Sequence, residues 1–284
     1  MDRVIRMEGH ALKSREDRWR EEADFFNRAA ERIDTKALPL DPVALQRYTR
    51  PVLRSRFNKE YRFKVLGPVA GKVLLDVGCG DGQNSVMLAL MGAQVTGIDV
   101  SPGAIALARR RAEVNGVSDR VRFLCAPVER ADLPERSFDI VWGEGILHHV
   151  LDDLDLVLRH LARCAKREGL LIFSEPINLS PMLRRIRQSV PIRTDATPGE
   201  RPMLKNELDL VRRHVPDLVM RPYSLLGRLD RLILIRYNYE RSPVVRRGIV
   251  NGMATLDRLL MLLPGFKRLA STCVLHGHPA QSDS

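Results

Sequence analysis

Five short apolar runs, Val73 to Val77, Val95 to Ile98, Val121 to Leu124, Ile140 to Trp142 and Leu170 to Phe173, are separated by stretches with helical periodicity. Runs of about five residues are too short for buried helices and suit strands covered on both faces. Their alternation with helices predicts an α/β fold built on a doubly wound parallel sheet.

The helices carry their own punctuation. Ser101 reads as an N-cap with Pro102 at the first helical position, Ile105 and Ala108 share the apolar face, and Asn115 and Gly116 close the helix. Leu154, Val157, Leu158 and Leu161 form a second stripe, with Arg163, Lys166 and Arg167 placed where a helix dipole favours cations and Gly169 as the stop.

Residues 1–70 lack strand-like runs, and Trp19, Ala23 and Phe26 fall on one helical face, so a helical N-terminal cap is expected. Residues 71–176 form the expected cofactor-binding core. Residues 177–284 hold the rest of the sheet and segments that cap the substrate. There ELDLVRRHV reads as a helix, LVMRPYSLL and STCVLHG as strands, and a helical insertion over about 228–269 precedes the last strand. In that insertion Met253, Leu256, Leu260 and Leu263, widened by Leu259 and Leu262, make an amphipathic helix ended by Pro264.

The stretch LLDVGCGDGQNS sets three glycines directly after the first apolar run. A strand that turns into a helix presents free backbone amides, and glycines there permit positive φ and close approach of a ligand. Gly78, Gly80 and Gly82 therefore read as a cofactor cradle. A dinucleotide fingerprint would need its last glycine one place later, where Gln83 stands. Asp99 ends the second run where a carboxylate can accept from both ribose hydroxyls; the alternative is that it caps the next helix.

DVGCGDG (Asp76 to Gly82), GIDVSPGAIALA, LPERSFDIVWGEGILHHV and GLLIFSEP resemble, in order, the motifs of the class I S-adenosylmethionine-dependent methyltransferases, most of all the small-molecule branch of quinone biosynthesis. The resemblance covers about residues 72–176. It implies a seven-stranded Rossmann-like sheet with five parallel strands and an antiparallel terminal hairpin, and S-adenosylmethionine as cofactor. It implies that Asp76, Gly78, Gly80 and Gly82 approach the methionine portion, Asp99 the ribose and Val100 the adenine. Glu129, beside Val128, is the candidate for the adenine amine, although CAPVERADLP departs from the commoner pattern. Gly143 and Glu144 are expected under the amino-acid part of the cofactor.

A sulfonium carries its own leaving group, so the protein has mainly to align a nucleophile and exclude water, and no metal is expected. His148 and His149 follow the fourth run, at the border between cofactor and acceptor. One of them is expected to face the acceptor, as general base or as positioning group, while the other packs. Glu175, at the carboxyl edge of the sheet, is a candidate anchor.

The net charge of +11 suits either an anionic neighbour or general solubility. Arg246, Arg247, Arg258, Lys267 and Arg268 lie in or beside the amphipathic stretch, and Arg184, Arg185 and Arg187 alternate with Met182, Leu183 and Ile186. The helix either lies on anionic lipid or packs as a lid. Four dispersed cysteines, a charged N-terminus and no long apolar span predict a cytoplasmic protein, in peripheral membrane contact if the helix does lie on lipid. The expected reaction is methylation of oxygen or carbon on a small, lipophilic acceptor. An RNA methyltransferase and a non-catalytic cofactor-binding relative are the alternatives. Only 5% of residues are aromatic, which argues against a base-stacking surface and a nucleic-acid partner.

Overall fold

The computed structural model describes residues 14–49, 57–181, 200–224, 230–235, 239 and 242–280. Strands β1 (Val73–Val77), β2 (Gln94–Asp99), β3 (Val121–Cys125), β4 (Phe138–Glu144), β5 (Ala165–Pro176), β6 (Val219–Tyr223) and β7 (Thr272–Gly277) form one sheet in the order β3-β2-β1-β4-β5-β7-β6. Strands β1 to β5 run parallel, whereas β7 is antiparallel to both β5 and β6. The order reverses between β1 and β4, and in open α/β sheets ligands bind in the crevice that this switch opens at the carboxyl ends.

The expected alternation is present. Helices α1 (Arg15–Ala30), α2 (Pro42–Thr49) and α3 (Asn58–Leu66) precede the sheet, and α4 (Gln83–Leu90), α5 (Pro102–Val114) and α6 (Leu154–Cys164) connect its parallel strands. Later come α7 (Lys205–His214), a single turn at Asp230–Ile233 and α8 (Val244–Leu260). Ser101 caps α5 by accepting from the Ala104 amide, with Pro102 in its first turn. On α6, Leu154, Val157, Leu158 and Leu161 are all buried.

Two helix ends and one helix face differ from expectation, and the insertion helix expected to run to Pro264 stops at Leu260. Helix α6 stops at Cys164, and Lys166 and Arg167 already belong to β5, where Lys166 reaches Asp139 at 2.7 Å. Pairing of Ala165 with Phe138 draws this chain into the sheet before Gly169. On α8 the buried residues are Val250 and Asp257, while Leu256 and Leu259 are exposed. The apolar periodicity thus identifies the helix but not its inward face. Met182 to Arg187 lie outside the described residues.

Gly82 shows how the glycine loop is built. Its φ is +75°, and a Cβ there would stand 2.7 Å from the Ala108 Cβ on α5. At Gly80 (φ +52°) an added Cβ meets nothing within 4 Å. Gly82→Ala should therefore cost about 2–4 kcal/mol, from left-handed backbone strain plus overpacking. Gly80→Ala should cost only the strain, about 1–2 kcal/mol. Denaturant titration of both variants checks this; equal losses would contradict the packing role of Gly82.

Candidate active site

A cavity of about 960 Å³ opens at the switch point, at the upper end of the roughly 300–1,000 Å³ usual for small-molecule sites. Gly78, Gly80, Asp99, Val100, Val128, Glu129, Glu144, His148 and His149 line it, so nine expected site residues meet on one surface. Asp76, Gly82 and Gly143 stand behind the wall. Asp76 is buried and accepts from Ser85 Oγ at 2.6 Å, and desolvation raises its pKa to about 7 despite that bond. A Cβ at Gly143 would fall 2.6 Å from the Phe173 ring, so this glycine serves the packing of β4 against β5.

Asp99 stands at the carboxyl end of β2, on the cavity wall. One carboxylate oxygen accepts from the Gly80 amide and the other from the Ser101 amide, both at 2.9 Å. Burial raises its pKa, against the lowering effect of these two bonds. Each oxygen keeps a further lone pair for a ligand, and since Ser101 caps α5, Asp99 is not needed as the cap. Glu129, in the turn after β3, accepts from Trp19 Nε1 at 3.0 Å and so ties this turn to α1.

Helix α1 covers the mouth. Asn27 Oδ1 accepts from Ser101 Oγ and from the Gly103 amide at 2.8 Å each, and Arg15 Nε donates to Asp153 at 2.7 Å. Trp19, Glu22 and Phe26 of this helix face the cavity. The common face of Trp19 and Phe26 was legible as a stripe; Glu22 carried no sequence signal.

His148 and His149 occupy a 3-10 turn, Leu147–His149. Here the structure corrects the expectation that only one of them faces the cavity, because this turn brings both rings to the wall with centroids 4.3 Å apart. Glu175, 1% exposed, holds the turn: its carboxylate accepts from the amides of Ile146 and Leu147 at 3.0 Å and of His148 at 3.3 Å. It also faces His148 Nδ1 at 2.8 Å, while Glu200 meets His148 Nε2 at 2.9 Å. Burial alone would lower the His148 pKa, but the two carboxylates raise it to about 9. Bound on both sides, His148 keeps its proton at neutral pH. His149 Nδ1 lies 3.1 Å from Glu22, and Phe26 meets its ring edge-on.

A folded-state pKa of about 9 against an ordinary 6.5 makes the His148 ion pairs a source of stability at low pH. That contribution is complete below about pH 6.5 and is lost as pH rises through 9, an effect of order 2–3 kcal/mol. The thermal midpoint should therefore fall by several degrees between pH 7 and 9.5, and this fall should be absent in His148→Asn. A midpoint independent of pH in the native chain would contradict the doubly paired imidazolium.

Glu144 ends β4 at the cavity wall. Arg62 Nη2 donates to it at 2.7 Å and Asn84 Nδ2 at 2.8 Å. Burial alone would raise its pKa, but Arg62 and Lys59 hold it well below the ordinary carboxylate range. Beyond it lies a second cavity of about 760 Å³, lined among others by Arg47, Tyr48, Phe57, Lys59 and Tyr239.

A carboxylate at the end of β2, a glycine turn and a switch-point cavity bordered by α1 define an α/β protein of the seven-stranded class. Residues 75–173 match the family model described as a methyltransferase domain. The chain is 38% identical over 136 residues to the ubiquinone biosynthesis O-methyltransferase of Azorhizobium caulinodans, covering 48% of this chain and 51% of that protein. It is 32% identical over 199 residues to the protein of the same name from Alkalilimnicola ehrlichii, covering 65% and 79%. Against several of the curated relatives the match spans only about half of their length. Geranyl diphosphate C-methyltransferase from Streptomyces coelicolor A3(2) shares the fold with a TM-score of 0.52 at 14% identity, over 95% of this chain and all of that one. The chain belongs to the class I S-adenosylmethionine-dependent methyltransferases.

The residues present fit that family's cofactor: the space above Gly80 is open, and Asp99 stands beside it with lone pairs to spare. Among the described residues no helix is long and apolar enough to cross a membrane.

Proposed function

We propose that this chain methylates a hydroxyl oxygen of a small, lipophilic acceptor bound in the switch-point cavity. The observation that carries the reading is the wall formed by His148, His149 and Glu200, which borders the same cavity as the glycine turn and Asp99. The bound cofactor supplies an electrophilic methyl on sulfur. Asp99 holds its ribose, Gly80 admits its backbone-facing edge, whereas the space beside Gly78 is filled by Ile146, and Glu144 bounds its amino-acid end. As the acceptor oxygen attacks that methyl, its proton passes to His149, which Glu22 orients, while His148, held on both ring nitrogens by Glu175 and Glu200, fixes the wall beside it. Helix α1 excludes water from above. Apolar side chains on the remaining walls, including Phe26, Ile146, Val150 and Leu151, favour a lipophilic acceptor.

Incubation with labelled methyl donor and paired acceptors, hydroxylated aromatics and their O-ethers, tests this reading. Label should enter only compounds with a free hydroxyl and be recovered as a methyl ether. Transfer to carbon or to RNA, or equal labelling of the O-ethers, would overturn it.

We further propose that α8 rests on an anionic lipid surface. One face of the helix packs inward through Val250 and Asp257, so the helix is at once a wall of the second cavity and an exposed apolar face. Outward, Val245 is 74% exposed and Leu259 57%, with Ile249 and Leu256 on the same stripe. Residues 244–269 contain five basic side chains and one acidic one, Asp257, which is buried. Exposed apolar surface with a basic border suits interfacial binding. The chain should co-sediment with phosphatidylglycerol vesicles and not with phosphatidylcholine, and Leu256→Glu/Leu259→Glu should lose that binding while keeping its thermal midpoint. Equal sedimentation of the native chain and the double variant would refute the contact.

A further inference from the structure

We infer that His148, His149 and Glu200 form a binding site for a divalent transition-metal cation at the acceptor end of the cavity. The inference rests on the reading of this wall as the acceptor wall and deepens it: the cation takes the place of the proton on His148 Nε2.

Three geometric observations carry it. One ligand-capable atom from each residue lies within 4.8 Å of the other two. Glu200 Oε1 stands 2.9 Å from His148 Nε2 and 3.9 Å from His149 Nε2. Metal–ligand bonds of about 2.0–2.2 Å set neighbouring ligand atoms roughly 3–3.5 Å apart, so displacements of an ångström or so complete the set. Second, each histidine has its other nitrogen held by a carboxylate: His148 Nδ1 by Glu175 at 2.8 Å and His149 Nδ1 by Glu22 at 3.1 Å. Such outer carboxylates orient the ring of a metal-bound histidine and raise its basicity. Two in one cluster, supplied by β5 and by α1, leave both Nε2 atoms directed toward Glu200. Third, the group is sheltered, with side-chain exposures of 8%, 11% and 16%, yet all three residues border the cavity.

Two histidines and one carboxylate with the remaining positions open suit manganese, iron(II), cobalt(II) or zinc rather than magnesium or calcium, which favour all-oxygen sites. The open positions face the acceptor. A hydroxyl bound there ionises more readily than one facing His149 alone, because the cation lowers its pKa, and its proton then leaves to solvent rather than to His149. On cation binding the His148 Nε2 proton is released to solvent, Nδ1–H continues to donate to Glu175, and no redox change is involved.

The test uses the full chain, stripped with chelator and then titrated with cobalt(II) in the presence of S-adenosylhomocysteine. One equivalent should bind with visible d–d absorption and release of protons. Glu200→Gln and His149→Gln should each weaken cobalt binding at least tenfold, while S-adenosylhomocysteine affinity reports that the fold persists. Stripped protein that binds S-adenosylhomocysteine but takes up no stoichiometric cobalt would overturn the cation site and leave the methyltransferase reading intact. So would variants with native cobalt affinity. Cobalt uptake without S-adenosylhomocysteine binding would support the cation site while removing the reading beneath it.

Discussion

Replacing Asp99 with Ala should weaken binding of S-adenosylmethionine by about 10²–10³-fold while leaving the fold in place. Hydrogen bonds to a charged group contribute about 1.5–3 kcal/mol each, and two ribose hydroxyls would lose their acceptor together. The same substitution frees the Gly80 and Ser101 amides, so the glycine turn loses the contact that orients it. Asp99 ends β2 at the cavity and is only partly buried, and the cap of α5 is Ser101, which remains. Global stability should therefore fall by no more than about 1–2 kcal/mol. Asp99→Asn, which keeps an acceptor oxygen, should fall between the two. Calorimetric titration together with a thermal melt separates the effects. Native affinity in Asp99→Ala would remove the ribose assignment.

The second large effect is expected at the histidine wall. His149→Ala should lower turnover by about 10²–10³-fold, within the range for loss of a group that assists proton transfer in the transition state. Cofactor affinity should change by less than about threefold, because the proposed cofactor contacts are Asp99 and the glycine turn rather than His149. Glu22→Gln should produce a smaller loss of the same kind, since it removes the partner that orients His149 without removing the ring. Single-turnover rates at saturating cofactor measure the two parameters separately. If His149→Ala transferred methyl at the native rate, methyl transfer would rest on proximity alone.

Much of the architecture was legible because it is local. Each of the five apolar runs lies within a strand, and Ser101 with Pro102 begins α5, since capping and periodicity need only neighbouring residues. Lys166 and Arg167 misled for the opposite reason: a helix-stop reading cannot see the pairing of Ala165 with Phe138 that draws them into β5. Leu256 and Leu259 show a related limit, because an apolar stripe marks a helix without saying whether the stripe meets the core or the outside.

The site divides in the same way. Asp99, Gly78 and Gly80 sit beside one another along one strand-turn-helix unit, and the motif names them. Gly82 and Gly143 belong to the same motifs but serve close packing, a role that appears only when Ala108 and Phe173 are brought opposite them. Glu22 and Glu200 were not legible at all. They reach the histidines from α1 and from the chain before α7, separated from them by 127 and 52 positions respectively, and single carboxylates carry no local pattern. Their presence changes the chemistry of the wall, because His148 between two carboxylates holds its proton rather than taking one.

The most direct measurement is calorimetric titration of the chain with S-adenosylmethionine and S-adenosylhomocysteine, with NADH and ATP as controls. One equivalent of each sulfur nucleoside should bind at micromolar affinity, about 10²–10³-fold more weakly in Asp99→Ala, with no heat from the controls. Binding of NADH at comparable affinity, or no binding of either sulfur nucleoside by folded protein, would contradict the cofactor assignment.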